Sequence, residues 1–209
     1  MNNEKMLESI NKILSTEQEK RFNALVKLKE QLIKDLRFEM EWEKGTPKKE
    51  LTIINNMMKR NKYNEQLQKA IPYFNKFAFT DGHILFITNT NHSFEEIEKP
   101  IDFYNSIVKH ISGDYEVEFN LIELKLFVKE TKGNNLLEPY VFKLGNKLMG
   151  INAQLLIDAI EFIGKNTFLV DEINKPVYAK NEEKEVVLLP VMLKKDTEYI
   201  IQEVEYYQY

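Results

Sequence analysis

The sequence predicts an α+β fold, with amphipathic helices interspersed among antiparallel hairpins in packed layers. Three observations carry that expectation. Apolar residues recur at three- and four-residue steps over 4–37, 48–62, 101–111 and 152–163. Short aromatic or β-branched runs occupy much of 70–87, 115–144 and 167–193. Between these stand turn residues, among them Asp81-Gly82 and the single glycines Gly113 and Gly164.

The first helical stretch, 4–37, breaks near Ser15-Thr16, where Thr16 followed by Glu19 forms a capping box with Ser15 as the rival cap. Beyond it Phe22, Leu25, Leu28, Leu32 and Leu36 make one apolar stripe, which serves either to pack the helix on its own domain or to meet a partner helix. Gly45-Thr46-Pro47 punctuates the chain before a second helix, 48–62, whose apolar face is Leu51, Ile54, Met57 and Met58. Strands follow at 70–74, 77–79 and 84–87, the last two joined by a tight Asp81-Gly82 turn. A short helix over 101–111 ends at Gly113. Two strands are then expected, Tyr115–Phe119 and Leu121–Lys129, the second because it alternates apolar and polar residues. A strand over Tyr140–Leu144 precedes the clearest helix, 152–163, capped by Asn152 and closed by Gly164. Strands over Thr167–Val170, Val177–Ala179 and Glu185–Leu193 complete the pattern.

With 209 residues, 43% hydrophobic and 30% charged, the chain is long enough for one domain or two small ones with a real core. It has no cysteine, which excludes disulfides, thiolate metal sites and a cysteine nucleophile. No apolar run reaches the ~18–20 residues that span a bilayer, and MNNEKMLESINK holds no apolar core of a secretory signal, so a cytoplasmic protein with no membrane partner is expected. His83, His92 and His110 form no metal-binding spacing, and no phosphate-binding glycine loop or nucleophile elbow is present. Asp81 beside His83 has the composition of a base and its orienter, but Asp-Gly is first a turn signal. Neither an enzyme, nor a metal, nor a cofactor is expected.

The formal net charge of −4 is unevenly spread. Lys48, Lys49, Lys59, Arg60 and Lys62 face one acid, Glu50, across the second helix, whereas 194–209 is acidic. A basic helix on an acidic protein fits a polyanion-facing surface or, alternatively, a solvated face.

Two segments resemble the β sliding clamp of bacterial DNA polymerase III. Phe77-Ala78-Phe79-Thr80-Asp81-Gly82-His83-Ile84-Leu85 is similar to that family's ATDGHRL strand–turn–strand. From Tyr140 the chain runs through a strand, the helix beginning Gly150-Ile151-Asn152-Ala153-Gln154-Leu155-Leu156, then Lys175-Pro176-Val177-Tyr178, and ends in Val186-Val187-Leu188-Leu189-Pro190-Val191-Met192-Leu193. The family closes in the same order. The resemblance implies a DNA-clamp-like fold of antiparallel sheets with paired helices, here with an N-terminal helical extension over 1–45. It implies a reduced clamp-like domain over 46–98, a complete one over 99–193 and a tail over 194–209. It also implies a hydrophobic groove for client peptides, carried onto Thr80, His83, Leu85, Leu189, Pro190, Val191, Met192 and Leu193. Implied partners are double-stranded DNA bound without sequence preference, DNA polymerase and other clamp-binding proteins, and further copies of the chain in a homo-oligomer. The DNA-facing residues would be Lys48, Lys49, Lys59, Arg60 and Lys62.

The chain departs from the family in four ways. Ile84 and Met192 stand where the family has Arg, which makes the groove more apolar. Residues 194–209 extend past the family's last strand, as an edge strand, as a cover for the groove or as a ligand for another copy. The chain is far too short for three domains, so a ring of six would need three copies. Finally, helix 152–163 offers Gln154, Asp158 and Glu161 on its polar side and no cation, which speaks against encircling DNA. Two other functions are therefore open: a non-ring clamp-fold module that sequesters or regulates replication partners, dimerising through its N-terminal helices, and a sequence-specific DNA binder using helix 48–62.

Overall fold

A computed structural model of the chain describes residues 18–43, 48–61, 63–97, 113–131, 139–171, 175–195 and 197–208. Helix α1 is Gln18–Glu43 and helix α2 is Lys48–Arg60. The expected break at Ser15-Thr16 and the helix over 101–111 lie outside the described residues. The chain divides into two compact units, Met1–Leu51 and Thr52–Tyr209. In the first unit, α1 leaves Phe22, Leu25 and Leu36 of its apolar stripe exposed, with Leu28 and Leu32 half-buried. On α2 the expected face is buried at Leu51, Ile54, Met57 and Met58, with Ile53 beside them.

The second unit is built on an eight-stranded sheet and a three-stranded sheet. The strands are β1 (Ile71–Tyr73), β2 (Lys76–Thr80), β3 (Ile84–Thr88), β4 (Tyr115–Glu118), β5 (Tyr140–Leu144), β6 (Lys147–Ile151), β7 (Thr167–Val170), β8 (Val177–Lys180), β9 (Glu185–Leu188), β10 (Ile201–Gln202) and β11 (Glu205–Gln208). The larger sheet has the order β1-β2-β3-β9-β8-β7-β4-β11, and all of its pairings are antiparallel. The smaller is β10-β5-β6, in which β10 runs parallel to β5. Residues 194–209 thus add an edge strand to each sheet, the plainest of the three roles expected for them.

Aromatic rings fill the space between the sheets. Phe119 lies 5.3 Å from Phe142 of β5 and 5.9 Å from Phe168 of β7, all three fully buried. Helix α4, Ala153–Ile163, packs on β9 and β3, and its Phe162 ring sits 4.4 Å from Phe86. Both ends of α4 form as expected. The Asn152 side chain accepts the Leu155 N–H, and Gly164 takes the left-handed conformation (φ 75°) that closes the last turn.

One expected strand is a helix. Leu121–Thr131 forms α3, which packs against α4 as the second member of a helix pair. The alternation that suggested a strand comes from Ile122 and Leu126, and both are exposed. The inward residues are Leu121, Leu124, Phe127, Val128 and Thr131, a helical spacing. Asn120 starts the helix by accepting the Ile122 and Glu123 N–H groups on Oδ1, while its Nδ2 donates to Glu123 Oε1. The last expected strand is also shorter, ending at Leu188 because Pro190 cannot donate to a ladder.

Candidate protein-docking and nucleic-acid surfaces

The hairpin between β2 and β3 is held by its own side chains. Thr80 Oγ1 donates to the Ile84 carbonyl at 2.7 Å and accepts the Gly82 N–H at 3.0 Å. Asp81 Oδ1 accepts the N–H groups of His83 and Ile84, both at 3.0 Å, an Asx turn closed around Gly82 at φ 85°. From below, Asn61 Nδ2 donates to the Thr80 carbonyl at 2.8 Å. The connection is therefore three residues, Asp81-Gly82-His83, one longer than the expected turn.

The final segment meets this hairpin directly. Strand β9 pairs with β3 in the register Ile84–Leu188 and Leu85–Val187, and the Leu189 N–H then donates to the His83 carbonyl at 2.9 Å. Two residues on, the Val191 N–H donates to the Gly150 carbonyl at 2.8 Å, which attaches the segment to β6 in the other sheet. Leu193 then lies over Gly150. A Cβ there would stand 2.6 Å from Leu193 Cδ2, so the absent side chain makes room for the leucine.

These contacts join the hairpin to Leu189 and carry Val191 and Leu193 on to β6, and the eight expected groove residues lie at two depths. His83 and Met192 are exposed, Met192 at 77%, and Leu189, Pro190, Val191 and Leu193 are half-buried. Thr80 and Leu85 lie beneath the surface. Thr80 wires the turn, and Leu85, 3% exposed, packs in a cluster with Ile71, Ala78, Ile87 and Val187.

The expected cationic residues behave differently from one another. Lys48, Lys49 and Lys59 are exposed, and Lys62 lies outside the described residues. Arg60 instead joins two acids, placing Nε 2.8 Å from Asp81 Oδ2 and Nη1 3.5 Å from Asp158 Oδ2. It thereby ties the hairpin turn to α4. Burial pushes the Asp158 carboxyl above the ordinary carboxylate value, against the opposing pull of the Gln154 hydrogen bond and of Arg60, with Glu161 adding to the rise. Glu161 itself accepts Lys125 Nζ of α3 at 2.7 Å. The acids of α4 thus lie against cations supplied by two other helices, separated in sequence by 98 and 36 residues. No local pattern announces such pairs.

A cavity of about 590 Å³ opens near the start of α3, lined by Glu118, Glu123, Glu203 and Glu205 together with Asn120 and Ile122. Its four carboxylates make it unfit for a phosphate. Among the described residues, no group of His, Asp or Glu could hold a metal ion, and no helix is long and apolar enough to cross a membrane.

This topology can be set against known proteins. No family model matches the chain, and no curated protein matches it in sequence. Solved structures match in fold. The DNA polymerase III β subunit of Borrelia burgdorferi, solved with a natural product, superposes with a TM-score of 0.50 at 12% identity, over 70% of this chain and 61% of that one. The Helicobacter pylori β clamp bound to a DNA ligase peptide gives 0.49 at 11% identity, over 68% and 62%. The Pseudomonas aeruginosa sliding clamp gives 0.48 at 12% identity, over 67% and 64%. The matched region covers less than two thirds of each clamp's length. The chain has an α+β fold of the DNA-clamp type. Among known proteins that fold is similar to the β sliding clamp of bacterial DNA polymerase III.

Proposed function

We propose that the chain is a sliding-clamp-like processivity factor, which encircles duplex DNA and holds replication proteins through a hydrophobic peptide groove. The observation that carries this reading is the junction of the Thr80–Leu85 hairpin with Leu189–Leu193, a mostly apolar surface with polar turn atoms at its edge. Such a surface suits an extended peptide anchored by aliphatic or aromatic side chains. DNA polymerase and other clamp-binding proteins are the proposed clients, and the H. pylori clamp with its ligase peptide supports that class of partner.

In this reading the action is topological and neither makes nor breaks a bond, so the chain is not an enzyme. A ring retains its client because it slides, which requires weak phosphate contacts spread over several cations and blind to sequence. Lys48, Lys49 and Lys59 are the proposed contacts, with Lys62 as a further one from sequence alone. Segments 46–98 and 99–193 are proposed as a reduced and a complete clamp-like domain, joined through the pairing of β3 with β9, and three copies would supply six domains. The compartment implied is the one that holds the DNA, the cytoplasm.

A second reading, a clamp-fold interaction module that forms no ring, is favoured by α4, whose acids already engage Arg60 and Lys125. Retention on DNA separates the two. Protein loaded on nicked circular duplex should co-elute with it in the excluded volume of a sizing column and fall away once the circle is linearised. Replacing Lys48, Lys49 and Lys59 by Glu should shorten retention and flatten its salt dependence. Equal loss from circular and linear DNA would reject encirclement and leave the module.

A further inference from the structure

We propose that Asn61 is a positioning residue for the peptide groove, holding the Thr80–Leu85 hairpin where it meets the final segment. The proposal rests on the reading of that junction as a peptide groove and names the residue that sets its shape. Asn61 directly follows α2 and is 8% exposed. Its main chain is pinned on both sides. The N–H donates to the Met58 carbonyl at 3.1 Å, and the carbonyl accepts the Asn64 N–H at 3.0 Å and Gln68 Nε2 at 2.9 Å. From this fixed stem Nδ2 donates to two carbonyls at once, those of Leu67 and Thr80, each at 2.8 Å. Both N–H bonds of the amide are used, which a carboxylate or a hydroxyl in its place cannot match.

The bond to Thr80 stands in for a missing strand. Asp81 N–H reaches the Ile84 carbonyl, so by the alternation of antiparallel pairs Thr80, opposite Leu85, turns its own carbonyl away from β3. On that outer side β1 pairs with β2 only as far as Ile71–Ala78, and Thr80 lies past the end of the ladder. Asn61 supplies the donor that β1 does not. Arg60, the preceding residue, grips the same turn at Asp81 Oδ2, so two consecutive residues hold the hairpin by its main chain and by its side chain. From Thr80 the restraint passes through Oγ1 to Gly82 and Ile84, and the turn so fixed ends at His83, whose carbonyl accepts the Leu189 N–H. Leu189 is where the final segment leaves β9. A bound peptide reads the spacing of the groove's two sides, so a residue beneath the surface sets its affinity.

Asn61→Leu keeps the bulk of the side chain and removes its donors. In the full chain, at a temperature where circular dichroism shows every variant folded, it should speed hydrogen exchange of the Leu189 amide about ten-fold, with the β8–β9 ladder as protected as in wild type. Binding of the DNA ligase peptide held by the H. pylori clamp, followed by fluorescence anisotropy, should weaken about ten-fold in the same protein. Gln68→Ala removes a bond to the Asn61 main chain and none to the hairpin, and should leave both readouts at wild-type values. Asn61→Ala admits water to the two carbonyls and should move both readouts by a smaller factor; it decides the matter if Asn61→Leu does not fold. Unchanged Leu189 exchange overturns the proposal, as does unchanged affinity beside faster exchange. Equal losses in Gln68→Ala also overturn it, since they mark a role in stability alone. If the wild-type chain itself binds no peptide, the groove reading fails, and Leu189 exchange alone shows whether Asn61 holds the hairpin in place.

Discussion

Replacing Arg60 with Met keeps most of the side-chain stem and removes the charge that joins Asp81 to Asp158. The cost can be bounded from the geometry. Losing one partner of a fully buried ion pair costs about 3–5 kcal/mol, and an exposed pair is worth about 0.2–1 kcal/mol. The Asp81 and Asp158 side chains are 4% and 14% exposed, but the Arg60 side chain is 36% exposed, so water can enter in its place. Asp81 also keeps two backbone N–H donors and Asp158 keeps Gln154. A charge-assisted bond at 2.8 Å with this residual solvation should cost about 2 kcal/mol. For a cooperative unit of this size that is a fall of about 4–8 °C in Tm. Urea unfolding followed by circular dichroism reads it, with Lys59→Met as the exposed control expected to stay within about 0.5 kcal/mol. The pH dependence gives a second readout. Asp158 has a raised carboxyl in the folded protein, so the folded state binds its proton more tightly than the unfolded state does. Its contribution to stability therefore declines as pH rises through that raised value. Arg60 opposes the rise, so in Arg60→Met the decline should be larger, and the gap to wild type should widen from acidic to neutral pH. An Arg60→Met protein as stable as the Lys59→Met control, with a pH-independent gap, would refute the argument.

Four further outcomes follow from the same geometry. Asn120→Ala removes the acceptor at the start of α3 and should lower stability by about 1 kcal/mol in the same titration. Met192→Glu, at a position 77% exposed, should leave Tm unchanged while weakening binding of a client peptide at least about ten-fold by fluorescence anisotropy. Leu85→Glu should instead cost more than about 3 kcal/mol, because it buries a charge in an apolar cluster, and a stable Leu85→Glu protein would contradict that packing. Gly150→Ala should displace Leu193 rather than break the sheet, since the opposing atom is the far end of a flexible side chain. Faster hydrogen exchange at the Val191 amide, with β5 and β6 still protected, is the expected signature.

Where one or two turns of chain determine an element, the residues already announce it. Asn152 and Gly164 mark both ends of α4, and Asp81-Gly82 marks the hairpin, because caps and Asx turns are made by neighbours in sequence. The error at α3 is instructive because the local signal was present. Asn120 followed by Glu123 is a helix start, but Ile122 and Leu126 supplied an alternation that only their exposure in the fold shows to be irrelevant to the core. The candidate groove is less legible still. Its halves are about a hundred residues apart, and only the resemblance to a known family suggested that they meet. What joins them is the β3–β9 register, followed by one bond from Leu189 to His83 and one from Val191 to Gly150. The segment from 189 to 193 consequently leaves one sheet and enters the other, so the shape of the surface depends on how the two sheets are spaced. The residues that set this spacing, Gly150 beneath Leu193 and the Phe119–Phe142–Phe168 cluster between the sheets, are invisible to any reading confined to the groove motif. A substitution in that aromatic cluster should therefore alter peptide affinity without touching the peptide.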